Sequence, residues 1–406
     1  MDGVPCLRVS QCHAQHFRRS LESSGAVDLT LCLLKETDGT VLLPILPSCL
    51  SQLDLQSLRS KVAADSYCEI VWSQTPLQSK KRRGKTGGSK LEKILQPLME
   101  SHGETWTEEL RRDLPRSFQR HGDLVLLGDG CFSLPQWRKM EQQLWSAVAT
   151  GLGAERLAKM SRISKDGFRS PVVTMLLGER SWVKHVDNGI TYEFDVTKCM
   201  FSIGNITEKL RVAGFDCRGE TVVDLYAGGI GYFTLPFLVH AGASHVHACE
   251  WNPDAIEALQ KNLEANGVSE CCTIHRGDNR QLQLCDIADR VNLGLIPSSE
   301  DGWPVACRLL KRKTGGILHI HQNVTSPLPN TTASPAVNDA TQRVSGKKAN
   351  REVWQAWADD AANRITCLLR DITGVSWTTN IQHIERVKSY APHVHHVVLD
   401  LDCRPS

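Results

Sequence analysis

From residue 216 onward, short apolar runs alternate with stretches of helical spacing. Thr221–Tyr226, His245–Glu250, Cys272–Arg276, Arg290–Ile296 and Gly316–His321 read as strands; Tyr232–Ala241, Asp254–Asn266 and Gly302–Lys311 read as the helices between them. Alternation at this spacing predicts a parallel sheet with helices on both faces. A helix is expected over Arg351–Arg370. Ile381–Val387 and His395–Leu401 follow as strands, and Lys388–His393 is too short a link for a crossover helix. They are expected to form an antiparallel hairpin that closes the sheet.

Upstream the rhythm is less regular. Val27–Leu34 and Val41–Leu46 are strand-like. Ser79–Lys90 (SKKRRGKTGGSK) has no hydrophobic period and reads as a flexible segment. Glu92–Arg112 looks helical, Gly122–Leu127 starts a new folded unit, and Trp137–Leu157 reads as a helix. Val172–Leu177 is an apolar strand. Trp182–His185 and Ile190–Val196 form a hairpin around Asp187-Asn188-Gly189. Phe201–Arg211 is a loop entering a helix, and the Pro, Ser, Thr and Asn of residues 323–349 suggest a loose insertion. The resulting division is an N-terminal region (1–115) with a basic flexible segment (79–90), a middle α+β domain (116–215) facing nucleic acid, and a Rossmann domain (216–406).

Composition adds limits. Hydrophobic residues make up 41% and charged residues 23%, with a net charge of +2, so any nucleic-acid surface must be local. No run of about 18 apolar residues is present, and the N-terminus has no apolar signal region. The 15 cysteines are scattered without a C-x-x-C pair, which suggests reduced thiols in a cytoplasmic protein. Cys12, His13 and His16 lack a second ligand pair. His319 and His321 share one strand face, where a core role is favoured over a metal. No metal is expected.

The candidate chemistry lies between residues 221 and 279. Thr221–Phe233 reads TVVDLYAGGIGYF: an apolar strand ends at Asp224, then glycines at 228, 229 and 231 precede a helix. Glycine lets the backbone turn sharply and approach a ligand, and the helix N-terminus offers free N–H groups. Glu250 ends the second strand, where a carboxylate can accept from both ribose hydroxyls. Gly277-Asp278-Asn279 ends the third, with side chains suited to an adenine edge. A dinucleotide would use the same turn, but G-x-G-x-x-G is missing. Asp-x-x-x-Gly ahead of the turn fits S-adenosylmethionine (SAM) better.

The segments DLYAG…IGYFTLP (224–236), ACEWNPDAIEALQKNLEANGV (248–268), GDNR (277–280), FSIGNITEKLR (201–211) and VKSYAPHVHHVVLDL (387–401) resemble the wybutosine-synthesising branch of tRNA modification. So do DRVNLGLIPSS (289–299) and GGILHIH (315–321). The likeness covers residue 115 to the C-terminus. It implies an α/β chain with a class I SAM-dependent methyltransferase-like Rossmann domain, whose seven-stranded sheet is mostly parallel, preceded by smaller α+β domains. It implies transfer of the 3-amino-3-carboxypropyl group of SAM to the tricyclic wyosine precursor (4-demethylwyosine) at position 37 of tRNA(Phe), releasing methylthioadenosine. Ser202, Lys209, Glu250, Asp278 and Asn279 would touch SAM, beside Asp224, Gly228 and Gly231 of the loop. Lys209, with Arg211, would hold the carboxylate of the transferred chain.

Related guanosine-37 N1-methyltransferases carry Asn-Leu-Pro where this chain reads Asn292-Leu293-Gly294-Leu295-Ile296-Pro297. The missing Asn before Leu-Pro favours aminocarboxypropyl over methyl transfer. The family reads A-G-I-G in the loop; here Ala227-Gly228-Gly229-Ile230-Gly231 has one glycine more. Guanosine-37 methylation and a SAM-binding tRNA module without turnover are the alternatives. The partner is the tRNA(Phe) anticodon loop, its base splayed out to react. Arg162, Lys165, Arg169 and Arg211 are candidate RNA contacts, with the basic run at Lys80–Lys85 a further one. No membrane or obligate protein partner is expected, and no catalytic base is evident.

Overall fold

The computed structural model describes residues 3–10, 13–28, 31–36, 39–62, 67–73, 80–164, 167–326, 339–391 and 393–406. The chain divides into two compact units, residues 1–117 with 130–154 and residues 118–129 with 155–406. The segment 130–154, read from sequence as part of a middle domain, thus belongs with the N-terminal unit.

In the first unit, β1 (Val4–Ser10), α1 (Ala14–Ser23), β2 (Leu34–Lys35), β3 (Thr40–Pro44), α2 (Leu55–Val62) and β4 (Cys68–Ser73) build an antiparallel sheet of order β2-β3-β1-β4. Leu7, Val9, Phe17, Leu21 and Leu43 fill its core. Then come α3 (Lys80–Ser101), α4 (Glu108–Arg112) and α5 (Glu141–Leu152). Residues 80–90, expected to be a loop, are the first half of α3; Ser79 lies outside the described residues. Leu91, Leu95 and Met99 are fully buried one turn apart, and helix propagates readily from such a packed segment. The helix expected over 92–112 is interrupted: Gly103 turns left-handed at φ +75°, and Thr107 caps α4 by accepting from the Leu110 N–H at 3.3 Å. Gly153 (φ +65°) likewise ends α5, short of the predicted residue 157.

In the second unit, β5 (Phe118–His121), β6 (Leu124–Gly128), β7 (Arg156–Ile163) and β8 (Pro171–Leu177) form a four-stranded sheet, and β9 (Trp182–Asp187) and β10 (Ile190–Asp195) form the expected hairpin. Its turn residues Asn188 (φ +50°) and Gly189 (φ +76°) are both left-handed, as a two-residue hairpin turn requires. After α6 (Ile206–Ala213), the chain lays down β11 (Thr221–Asp224), α7 (Thr234–Val239), β12 (His245–Glu250), α8 (Pro253–Ala265), β13 (Cys272–Arg276), β14 (Arg290–Leu293), α9 (Trp303–Leu309), β15 (Gly316–Thr325), α10 (Asp339–Thr373), β16 (Trp377–Ala391) and β17 (Val394–Pro405). The seven-stranded sheet has the order β13-β12-β11-β14-β15-β17-β16. Its first five strands are parallel, and β17 and β16 are antiparallel, as predicted for the closing pair. Of the insertion expected over 323–349, residues 323–325 complete β15 and Asp339 begins α10; residues 327–338 lie outside the described set.

Successive residues of each strand serve opposite faces. Val222, Val246 and Ala248 pack in one core with Phe237 and Leu259; Val223, Cys249 and Leu318 pack in the other with Trp303 and Ile365. Asn262 on α8 and Asn266, which caps its C-terminus, satisfy the edge of β10. Asn262 accepts from the Glu193 N–H (2.6 Å) and donates to the Ile230 carbonyl (3.0 Å); Asn266 bonds the Thr191 N–H (3.0 Å) and carbonyl (2.7 Å). One helix thereby ties the hairpin to the glycine loop. The fourteen described cysteines are all free. Among the described residues no helix is long and apolar enough to cross a membrane, and no cluster of three or more metal-capable side chains occurs.

Burial pulls three histidines down to about 4: His121 beside His185, His247 beside His245 and His275, and His396 beside Lys388. Unfolded, each titrates near 6.5. The unfolded chain therefore binds more protons between these limits, so the contribution of the neutral imidazoles is full above about pH 6.5 and falls away towards pH 4. Urea midpoints at about pH 7.5, 6 and 5 are expected to decrease in that order. Identical midpoints would contradict neutral burial.

Candidate active site

The carboxyl ends of β11, β12 and β13 converge on one cavity of about 440 Å³. Its floor is the glycine loop. The apolar run of β11 ends at Asp224, whose carboxylate is fully buried and turns inward. It accepts from Thr234 Oγ1 at 2.8 Å and from Asn292 Nδ2 at 2.9 Å, joining β11 to the start of α7 and to β14. Burial raises its pKa, and these donors oppose the rise. Asp224, expected at the ligand, thus shapes the loop from behind rather than lining the cavity.

The glycines have separate tasks. Gly228 (φ +66°) and Gly229 (φ +79°) make the turn and line the cavity. Gly231 (φ +84°) lies behind it, where a Cβ would come within 2.7 Å of Leu259 on α8. It is a packing glycine. The Gly229 N–H donates to Glu250 Oε2 at 3.0 Å, tying the loop to the end of β12.

Glu250, at the end of β12, is the cavity's principal acid. Its Oε1 accepts from the Trp251 and Asn252 N–H groups, both at 2.9 Å. Burial raises its pKa while the three backbone donors pull it down. Asn252 then caps α8, accepting from Asp254 N at 3.0 Å, with Pro253 at the first helical position. At the end of β13, Asp278 is paired with Arg280 (2.6 Å) and Asn279 donates to the Leu225 carbonyl (2.6 Å); both line the cavity. Gly294 lines it too, presenting no side chain just before Leu295.

Ser202 lines the opposite side and its carbonyl accepts from the Tyr232 hydroxyl. Lys209 is elsewhere than expected. It is buried behind Tyr232, ion-paired with Asp187, with its ammonium 4.5–5.0 Å from the ring centres of Tyr232, Phe201 and Tyr192. Burial lowers its pKa and Asp187 opposes this. Arg211 also points inward, onto Glu208 (2.7 Å) and Asp400. Burial alone would raise the Asp400 carboxyl, but His319 at 2.7 Å and Arg211 hold it well below the ordinary range. His319 and His321 are buried, the latter against His396 at 3.0 Å. Arg169 lines the cavity, held left-handed (φ +58°) and donating to the Ile296 carbonyl at 3.1 Å. Arg162 is exposed at the end of β7, and Lys165 lies outside the described residues.

Sequence reasoning missed the mouth. Phe168 and Trp251, each nearly half exposed, meet edge to face at 5.8 Å, and Tyr390 is exposed beside the same cavity. Lys388 and Asn205 also line it. Asn205, Lys388, Tyr390 and Trp251 lie within the quoted segments and Phe168 lies outside all of them, and no periodicity marks an exposed ring as functional.

Residues 183–345 match the TRM5/TYW2 methyltransferase domain, and residues 7–82 and 98–181 match TYW2 N-terminal domains. The chain is 59% identical over 409 residues to the tRNA wybutosine-synthesizing protein 2 homolog of Danio rerio, covering all of both chains. It is 52% identical over 413 residues to that of Rattus norvegicus, covering 96% of this chain and 94% of the other. Among solved structures it is similar to P. horikoshii TYW2 in complex with MeSAdo, at 27% identity and a TM-score of 0.55, covering 79% of this chain and all of that one.

The two loop glycines separate experimentally. A Cβ at Gly228 would lie 2.7 Å from that of Tyr232, whereas at Gly229 the nearest atom is Ala255 Cβ at 3.6 Å. Gly228→Ala is expected to destabilise the chain by roughly 2–3 kcal/mol and Gly229→Ala by about 1 kcal/mol. Thermal unfolding checks the order; a larger loss at Gly229 would refute this division.

Proposed function

The chain belongs to the tRNA wybutosine-synthesizing protein 2 family, and from that premise we propose that its cavity binds SAM and delivers the 3-amino-3-carboxypropyl group to a base splayed from the anticodon loop of tRNA(Phe). The enzyme is a SAM-dependent transferase of a non-methyl group in wybutosine biosynthesis. Its acceptor is 4-demethylwyosine at position 37. The observation that carries the reading is Glu250, poised by three backbone donors between the glycine loop and Asp278-Asn279.

The residues divide the work by position. Glu250 takes the ribose hydroxyls, for which a buried carboxylate is the natural acceptor. Asp278 and Asn279 take the adenine edge. Gly228 and Gly229 let the backbone approach the sulfonium, and Ser202 flanks it from the other side. Lys209 supports this wall indirectly, through Tyr232.

A sulfonium has three carbons open to displacement. Here the nucleophilic carbon of the base forms a bond to the chain carbon attached to sulfur. The C–S bond breaks, its electron pair stays on sulfur as neutral methylthioadenosine, and the base carbon then loses its proton. In-line placement decides which sulfonium carbon reacts. Gly294 offers no amide side chain to hold guanosine, which fits a tricyclic acceptor better than guanosine-37 methylation. The rings of Phe168, Trp251 and Tyr390 provide a stacking surface for that acceptor at the mouth. Arg162 and Arg169 are placed to meet phosphate nearby.

Incubation with SAM and tRNA(Phe) bearing the tricyclic intermediate is expected to release methylthioadenosine in step with base modification. Release of S-adenosylhomocysteine would establish methylation instead, and no product would leave a binding module. Trp251→Ala is expected to weaken tRNA use roughly tenfold, in line with the loss of one stacking contact. Unchanged steady-state kinetics would remove the stacking role.

A further inference from the structure

We propose that Lys388 and Asn205 form the subsite for the amino-acid end of SAM, Lys388 taking the carboxylate and Asn205 the ammonium. This rests on the assignment of the cavity to SAM. With adenine and ribose at the ends of β13 and β12, the strand order sends the chain across β11 towards the side where β14, β15, β17 and β16 lie. Lys388 stands on β16 and lines this same cavity. The transferred chain is a zwitterion, so its end requires a cation and an acceptor close together.

The other cations near the site are already engaged. Lys198 is bonded to Asp254 at 2.8 Å, Arg280 to Asp278 at 2.6 Å, and Arg169 to the Ile296 carbonyl at 3.1 Å. Lys209 and Arg211 are neutralised by Asp187 and by Glu208 with Asp400. Lys388 is half-buried and, among the described residues, makes no ion pair or side-chain hydrogen bond. Its ammonium lies 3.1 Å from where a Cβ of Gly204 would be, so the missing side chain at 204 gives it room. The next residue is Asn205, whose Oδ1 is buried without a hydrogen-bond partner while the residue lines the cavity. An unpaired ammonium against Gly204 and an unpaired buried acceptor on the next residue thus belong to the lining of one cavity. Burial also lowers the Lys388 pKa, the direction that a bound carboxylate would reverse.

Calorimetric titration of the full chain separates the ends of the ligand. Lys388→Met is expected to weaken SAM binding by tenfold or more, since a charge-assisted contact is lost, and to leave methylthioadenosine binding unchanged. Decarboxylated SAM should bind wild type and Lys388→Met equally. Asn205→Ala should weaken SAM and decarboxylated SAM alike, again sparing methylthioadenosine. Equal SAM affinities for wild type and Lys388→Met would overturn the subsite. So would a parallel loss of methylthioadenosine affinity, or a loss confined to tRNA binding, which would make Lys388 a phosphate contact. If wild type bound neither SAM nor methylthioadenosine, the cofactor assignment itself would fall, and the subsite with it.

Discussion

The buried carboxylate of Asp224 is the constraint on which the site depends. Its two oxygens hold Thr234 and Asn292, so one charge fixes the end of β11, the start of α7 and the neighbouring strand β14. A carboxylate with no exposure is costly unless it is bonded, and here each donor lies on a different element. The backbone N–H groups of Tyr226 and Thr234 add to these side-chain donors. The glycine loop is held between this latch and Glu250, with Gly228 and Gly229 towards the cavity and Gly231 packed behind it.

Behind that surface, buried charge joins elements of the fold. Arg211 bridges α6 to Asp400 on β17, and Asp400 reaches His319 on β15. Lys209 joins α6 to the β9–β10 hairpin through Asp187, inside a cage of three aromatic rings. Such pairs are strongly destabilising when one partner is removed, so they fix the position of the 201–213 segment against the sheet. The cavity in turn receives the short, uncharged side chains of Ser202 and Asn205 from that segment, and Lys388 from β16.

The architecture also separates the two halves of a group-transfer problem. Acids and backbone donors gather at the ends of β12 and β13. The far side is bounded by Gly294 and a rim of exposed rings, which is suited to a flat, apolar acceptor.

Much of this was legible in the chain alone. Strand and helix order, the closing antiparallel pair, the Asn188-Gly189 turn, Glu250 and the Asp278-Asn279 end all follow from local periodicity and turn chemistry, which act within a few residues. The errors were also local: a helix continued through residues 80–90 on the strength of Leu91, Leu95 and Met99, and glycines 103 and 153 ended helices that periodicity alone would have extended. What only the tertiary structure decided was the direction of each charged side chain. Asp224 reads as a ligand contact from its place at a strand end, and Lys209 and Arg211 from their place in the FSIGNITEKLR segment. Their partners, Asn292, Asp187 and Asp400, are distant along the chain and adjacent only after folding. Lys388 was invisible for the converse reason: its significance lies in the partners that folding leaves it without.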